Sequence, residues 1–87
     1  MSPLNSPRSS AEIEYLQLLG ASIRKWREQK GLTQEQFAPL VGLTRSYITE
    51  IETGKRNISF ANFLKIVQVL EVAEIELLEL FKSHPAN

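Results

Sequence analysis

Apolar residues along this chain recur at the three-to-four-residue spacing of helices, and nowhere do they alternate strictly as a half-buried strand requires. The first periodic stretch runs through Leu16, Leu19, Ile23 and Trp26 to Lys30, with Trp26 read as core. It opens on Ser9 with Glu12 three residues later, a capping-box spacing, and stops at Gly31. Gly20 lies inside it and costs about 1 kcal/mol relative to Ala in a helix interior. A break there, leaving a separate amino-terminal helix, is the main alternative.

Thr33-Gln34-Glu35-Gln36 is a second capping box and starts a short helix that runs to Val41. Gly42 supplies the left-handed residue that ends it, and Leu43 is placed for the apolar contact that accompanies such ends. Thr44 then caps a third helix over residues 45–53, stopped by Gly54. Pro39 breaks the pattern inside the second helix, where it loses a backbone bond to residue 35; a kink or early loosening is expected there.

After a loop over residues 55–58, Ser59 caps a fourth helix with apolar positions Phe60, Phe63, Leu64, Val67 and Leu70, the stripe expected to pack on the core. The last segment, Glu74 to about Lys82, is apolar at Ile75, Leu77, Leu78, Leu80 and Phe81. That is more than one face of a short helix can bury within its own domain, so something else should cover the surplus.

These elements describe an all-α, five-helix chain with one domain over residues 10–82, between a disordered Ser/Pro-rich tail (residues 1–9) and a short tail (83–87). Eighty-seven residues allow a single modest core. The lack of cysteine excludes disulfides, and with His84 as the sole histidine, expected to be without a role, it excludes a Cys/His zinc site. No membrane span or signal peptide is evident, and a cytoplasmic, nucleoid-associated protein is expected. No nucleophile–base pair or phosphate-cradling glycine loop is present, so no enzyme activity, metal or cofactor is expected.

The net charge is zero, unlike the basic balance usual for nucleic-acid binding. The total conceals an asymmetry: residues 1–67 carry nine Lys/Arg against six acids, residues 68–87 one Lys against four Glu. The acidic end, read as a solvated face, should point away from any polyanion. Arg8 is read as part of an uninvolved tail.

Two short helices joined by a tight glycine turn form a platform whose second helix can enter the major groove of DNA with its amino-terminal residues against base edges. That helix carries Arg45, Ser46, Thr49 and Glu50 outward, with Ile48 and Ile51 inward. Arg45 can pair with guanine O6 and N7, and Ser46 and Thr49 can donate, accept or touch a thymine methyl. Lys55 and Arg56, beside the glycine after this helix, suit phosphate. Tyr47 is balanced between packing and DNA contact.

The residues Ile23-Arg24-x-x-Arg27, Gly31-Leu32-Thr33-Gln34-Glu35-x-Phe37-Ala38, Gly42-Leu43 and Ile48-x-x-Ile51-Glu52-x-Gly54 resemble the Cro/CI-type, lambda-repressor-like helix-turn-helix superfamily of bacterial and phage repressors. Arg45-Ser46-Tyr47-Ile48 followed by Arg56-Asn57-Ile58-Ser59 is similar to the controller proteins of restriction-modification systems. The resemblance implies that Gln34 grips a phosphate at a helix amino end, and that Arg45, Ser46 and Thr49 read bases, with Thr44 and Tyr47 beside them. It further implies that Arg56 and Asn57 hold the sugar-phosphate chain, and that Arg27 and Glu52 form a structural ion pair. Glu50 departs from the pattern, since a carboxylate there repels phosphate unless it accepts from a cytosine amino group. The expected partners are double-stranded DNA and a second copy of the chain, with Leu77, Leu80 and Phe81 as dimer contacts, and RNA polymerase as a further candidate. The alternative is a protein-interaction module of antitoxin or antagonist type on the same fold.

Overall fold

The computed structural model describes residues 8–83 and contains α1 (Ser10–Gln29), α2 (Gln34–Leu40), α3 (Arg45–Glu52), α4 (Phe60–Val69) and α5 (Glu74–Lys82), with no strand among the described residues. Most of both expected tails, and His84, lie outside those residues.

The Ser9 hydroxyl accepts the Glu12 amide at 3.1 Å, but no reciprocal bond from the Glu12 side chain completes a box. α1 then runs unbroken through Gly20, so the expected alternative of two separate helices does not form. The glycine serves close approach. A Cβ at residue 20 would overlap the Ile51 carbonyl oxygen and lie 2.8 Å from that of Glu52. Gly54 meets the same helix about one turn away: φ is +75°, and a Cβ there would lie 2.8 Å from the Gln17 Cα. The end of α3 is thus seated directly on the backbone of α1.

α2 begins with the full capping box, in which Thr33 Oγ1 accepts from the Gln36 amide at 3.1 Å and Gln36 Oε1 from the Thr33 amide at 3.0 Å. Pro39 is taken up, exposed, in the last turn without interrupting the helix. At φ +68° Gly42 turns the chain, and the Leu43 amide reaches back to the Ala38 carbonyl at 3.0 Å. Thr44 Oγ1 accepts from the Tyr47 amide at 3.1 Å and opens α3.

The core joins Ile23 and Trp26 of α1, Phe37 and Ala38 of α2, Ile48 and Ile51 of α3, and Ile66 and Leu70 around α4. Here the expected stripe on α4 needs correction. Ile66 is fully buried, whereas Phe60 is 73 % exposed and Leu64 also faces solvent. Seven of the ten residues of α4 are apolar, so more than one stripe satisfies helical spacing and only the tertiary fold selects one. The turn after α4 places Glu71 at φ +51°, where the earlier turns have glycine.

The acids of α5 do not all form a solvated face. Glu76 is half-buried, accepts from the Trp26 indole Nε1 at 3.1 Å and pairs with Lys25 Nζ at 3.2 Å. The indole hydrogen bond, then Lys25, hold its carboxyl below the usual glutamate value, against an opposing effect of desolvation.

Candidate nucleic-acid interface

α3 buries Ile48 and Ile51 and turns Arg45, Ser46, Thr49 and Glu50 onto one shallow depression open to solvent. The helix is held at both ends. Thr44 caps its start, and Glu52 at its close forms a two-point pair with Arg27 of α1, Nε to Oε2 at 2.7 Å and Nη2 to Oε1 at 2.9 Å. The third Arg27 donor, Nη1, reaches the Leu32 carbonyl at 2.6 Å. These two residues are 6 % and 8 % exposed, so each charge depends on the other. The Glu52 hydrogen bonds raise the Arg27 pKa, outweighing burial, and the charges of Glu52 and Glu28 add to the effect.

Gln34, implied as a phosphate grip, lies at the amino end of α2 with its amide turned toward α3. Its Nε2 donates to Glu52 Oε1 at 3.0 Å and its Oε1 accepts from Thr49 Oγ1 at 2.8 Å. One N–H of the amide remains for a phosphate. Thr44 is exposed, but its hydroxyl serves the helix cap.

Arg45 projects into solvent from the first turn of α3, with Nη1 3.5 Å from Glu35 Oε1 on α2. Ser46 beside it is exposed. Glu50, which the sequence left without a role, pairs with Arg56 beyond the end of α3, Nε to Oε2 at 3.1 Å. The Arg56 guanidinium also lies over the Tyr47 ring, 5.0 Å from its centroid, a cation–π arrangement. Tyr47 both packs and faces outward: its ring is half-buried against the core and its hydroxyl accepts from Asn62 Nδ2 at 3.4 Å. Asn57 is exposed, and its Oδ1 accepts the following amide, of Ile58, at 2.9 Å. Arg45, Ser46 and Thr49 share the depression, with Gln34 joined to Thr49 and Arg56 to Glu50 and Tyr47; Arg27 and Glu52 are buried, and Asn57 instead lines the apolar groove at α5. Glu35, Glu50 and Asn62 are additions, because the pairs they make cross between elements and leave no periodic signal.

Leu77 and Leu80 are half-buried against the core, while Phe81 is 67 % exposed. Phe81 and Phe60 border this apolar groove, which also includes Leu19, Asn57, Ile58, Phe63 and Leu80. Ile75 and Leu78 are exposed on α5. The outward apolar positions thus differ in part from those singled out in the sequence.

A capped helix, a glycine turn and an outward second helix bearing Arg, Ser and Thr are the parts of a helix-turn-helix reading head. The chain belongs to the helix-turn-helix family, whose match spans residues 23–77. It is 42 % identical over 59 residues to the control protein C.MunI of Mycoplasma sp, covering 67 % of this chain and 80 % of the relative. It is 40 % identical over 63 residues to the control protein C.BamHI of Bacillus amyloliquefaciens, covering 71 % and 78 %. Among solved structures it is similar to the restriction-modification controller protein C.AhdI from Aeromonas hydrophila, with TM-score 0.66, 44 % identity, and coverage of 71 % of this chain and 94 % of that one. α1 starts at Ser10, ahead of the matched segment.

Proposed function

We propose that this chain is a sequence-specific, double-stranded-DNA-binding transcriptional regulator that acts as a homodimer, in the manner of a restriction-modification controller protein. The observation that carries the reading is the fixed presentation of α3, with Arg45, Ser46 and Thr49 on one open depression above the buried Arg27–Glu52 pair. Arg45 and the hydroxyls face base edges, and Arg56 with Asn57 follows the backbone. Solved variants of the controller protein C.Esp1396I replace consecutive Arg, Thr and Tyr residues. That order of side-chain chemistry matches Arg45, Ser46 and Tyr47 here and supports the reading.

The second copy is expected on the α5 side, where the groove bounded by Phe60 and Phe81 and the exposed Ile75 and Leu78 offer apolar surface. A two-fold dimer places its reading helices about 34 Å apart, so half-sites recur roughly every 10 bp in a near-palindrome. The regulator acts without catalysis or cofactor, and RNA polymerase is a candidate partner at a promoter.

Gel-shift titration on duplexes enriched from a random pool tests the DNA reading. Arg45→Ala should weaken binding at least tenfold while leaving the fold intact by circular dichroism; unchanged binding removes α3 as the reading helix. Sedimentation tests the dimer, since Phe81→Glu should yield monomers, and a wild-type monomer at high micromolar concentration rejects it. The zero net charge and the apolar groove favour one other reading, a protein-interaction module. Absence of any preferred DNA would select it.

A further inference from the structure

A hydroxyl in a DNA groove is ordinarily ambiguous, since it can donate to a guanine or accept from an adenine. The surroundings of Thr49 remove that ambiguity. Both Glu52 oxygens accept from Arg27, so toward Gln34 the side chain presents an acceptor. Gln34 must therefore turn its NH2 toward Glu52 Oε1, at 3.0 Å; a flipped amide would set oxygen against oxygen. With the amide so fixed, Gln34 Oε1 faces Thr49 Oγ1 at 2.8 Å, and the shared proton can come only from Thr49. The other neighbour of that hydroxyl, the Arg45 carbonyl at 3.1 Å, is also an acceptor. Whichever of the two it serves, the single Thr49 proton is spent inside the protein.

Resting on the DNA-binding reading above, we infer that Thr49 reads its base pair as an acceptor plus a methyl group, a polarity imposed by the relay Arg27–Glu52–Gln34. Thr49 is exposed on the depression it shares with Arg45, Ser46 and Glu50, and what it offers there is an Oγ1 lone pair and Cγ2. The complement of that pair of features is an exocyclic N–H2 beside a methyl. In the major groove the A·T pair alone supplies both, as adenine N6 and the thymine C5-methyl; the guanine edge offers two acceptors and is rejected, and cytosine offers an N4–H2 but its pair has no methyl. Gln34 is then a positioning residue for base readout, in addition to any phosphate it touches.

The test is selection of bound duplexes from a random pool by wild type, Thr49→Val, Thr49→Ser and Gln34→Met, with circular dichroism confirming that each variant folds. Thr49→Val, which keeps the methyl and loses the acceptor, identifies the base pair that Thr49 reads. Wild type should require A·T there, with discrimination against G·C of about tenfold or more. Thr49→Ser, lacking the methyl, should still reject guanine but relax toward a pair that offers the cytosine amino group. Gln34→Met removes the closer of the two internal acceptors and leaves the hydroxyl held by the Arg45 carbonyl alone, so discrimination at that one pair should weaken while preferences elsewhere persist. A wild-type G·C at the Thr49-dependent pair overturns the inference. So does a Gln34→Met variant whose affinity falls equally on every sequence, the pattern of a phosphate contact alone. Enrichment of no sequence by wild type is a different failure, which removes the proposed function and this inference with it.

Discussion

Replacing Gly20 by alanine in an isolated helix would stabilise it by about 1 kcal/mol. In this fold the sign should reverse. The added methyl would overlap the Ile51 carbonyl oxygen and press on the Glu52 carbonyl at 2.8 Å, both backbone atoms that cannot rotate away. To restore ordinary contact, α1 must retreat from the end of α3 by on the order of an ångström, and such overpacking costs about 1–3 kcal/mol. The same retreat stretches the Arg27–Glu52 hydrogen bonds, now 2.7 and 2.9 Å, beyond the usual range for these bonds. Weakening a buried, charge-assisted pair adds about 1–2 kcal/mol. After the propensity gain is subtracted, Gly20→Ala should be destabilising by about 1–4 kcal/mol, a large share of the stability of a domain this size. Urea unfolding followed by circular dichroism measures it: with m near ~1 kcal/mol/M, the midpoint should fall by about 1 M or more with m unchanged. An alanine variant as stable as wild type, or more so, would refute the close-approach argument.

Arg27→Met should cost about 3–5 kcal/mol, because the buried Glu52 carboxylate loses its cation; the Arg27→Met/Glu52→Met double variant should recover part of that in a denaturation cycle, and strict additivity would contradict coupling. Glu71→Gly should raise the melting temperature by a few degrees, since it relieves a left-handed backbone worth about 1 kcal/mol at the expense of an exposed pair with Lys30. The Glu76 carboxyl titrates below its ordinary value of 4.5 in the folded chain. The stability it adds is therefore present above that value and is lost as pH falls through the depressed folded value. Trp26 fluorescence should report α5 loosening in that acid window, and Glu76→Gln should remove this component; an identical acid profile in the variant would contradict the assignment.

The elements themselves were legible because each helix start carries a Ser or Thr cap, except that of α5, and the turns at Gly31, Gly42 and Gly54 use glycine at positive φ. Gly20 was misleading for a local reason: propensity records what glycine costs a helix, not what crosses it. On α4 the abundance of apolar residues erased the phase, so Ile66 was overlooked and Phe60 placed inward. In the reading face, residue types and their helical spacing identified Arg45, Ser46 and Thr49 as outward. Partners contributed by other elements follow only from the tertiary fold: Glu35 reaches Arg45 across the α2–α3 turn, Arg56 folds back from the loop onto Glu50, and Glu76 meets Trp26 from a helix distant in sequence.

Those carboxylate partners also bear on how such a molecule would search a genome. Arg45 and Arg56 each have an anion nearby before DNA arrives, at 3.5 and 3.1 Å. A duplex phosphate displaces an existing partner instead of meeting a bare cation, so its electrostatic gain is a difference between two similar terms. Residence on arbitrary sequence is shortened accordingly, and other polyanions compete poorly for this face. A guanine edge must displace the same carboxylate, but it is fixed in the groove beside the further contacts of Ser46 and Thr49, which arbitrary sequence does not complete. Dwell time on the duplex would then be set mainly by sequence, and a chain with no net charge could distinguish its operator from the surrounding phosphate.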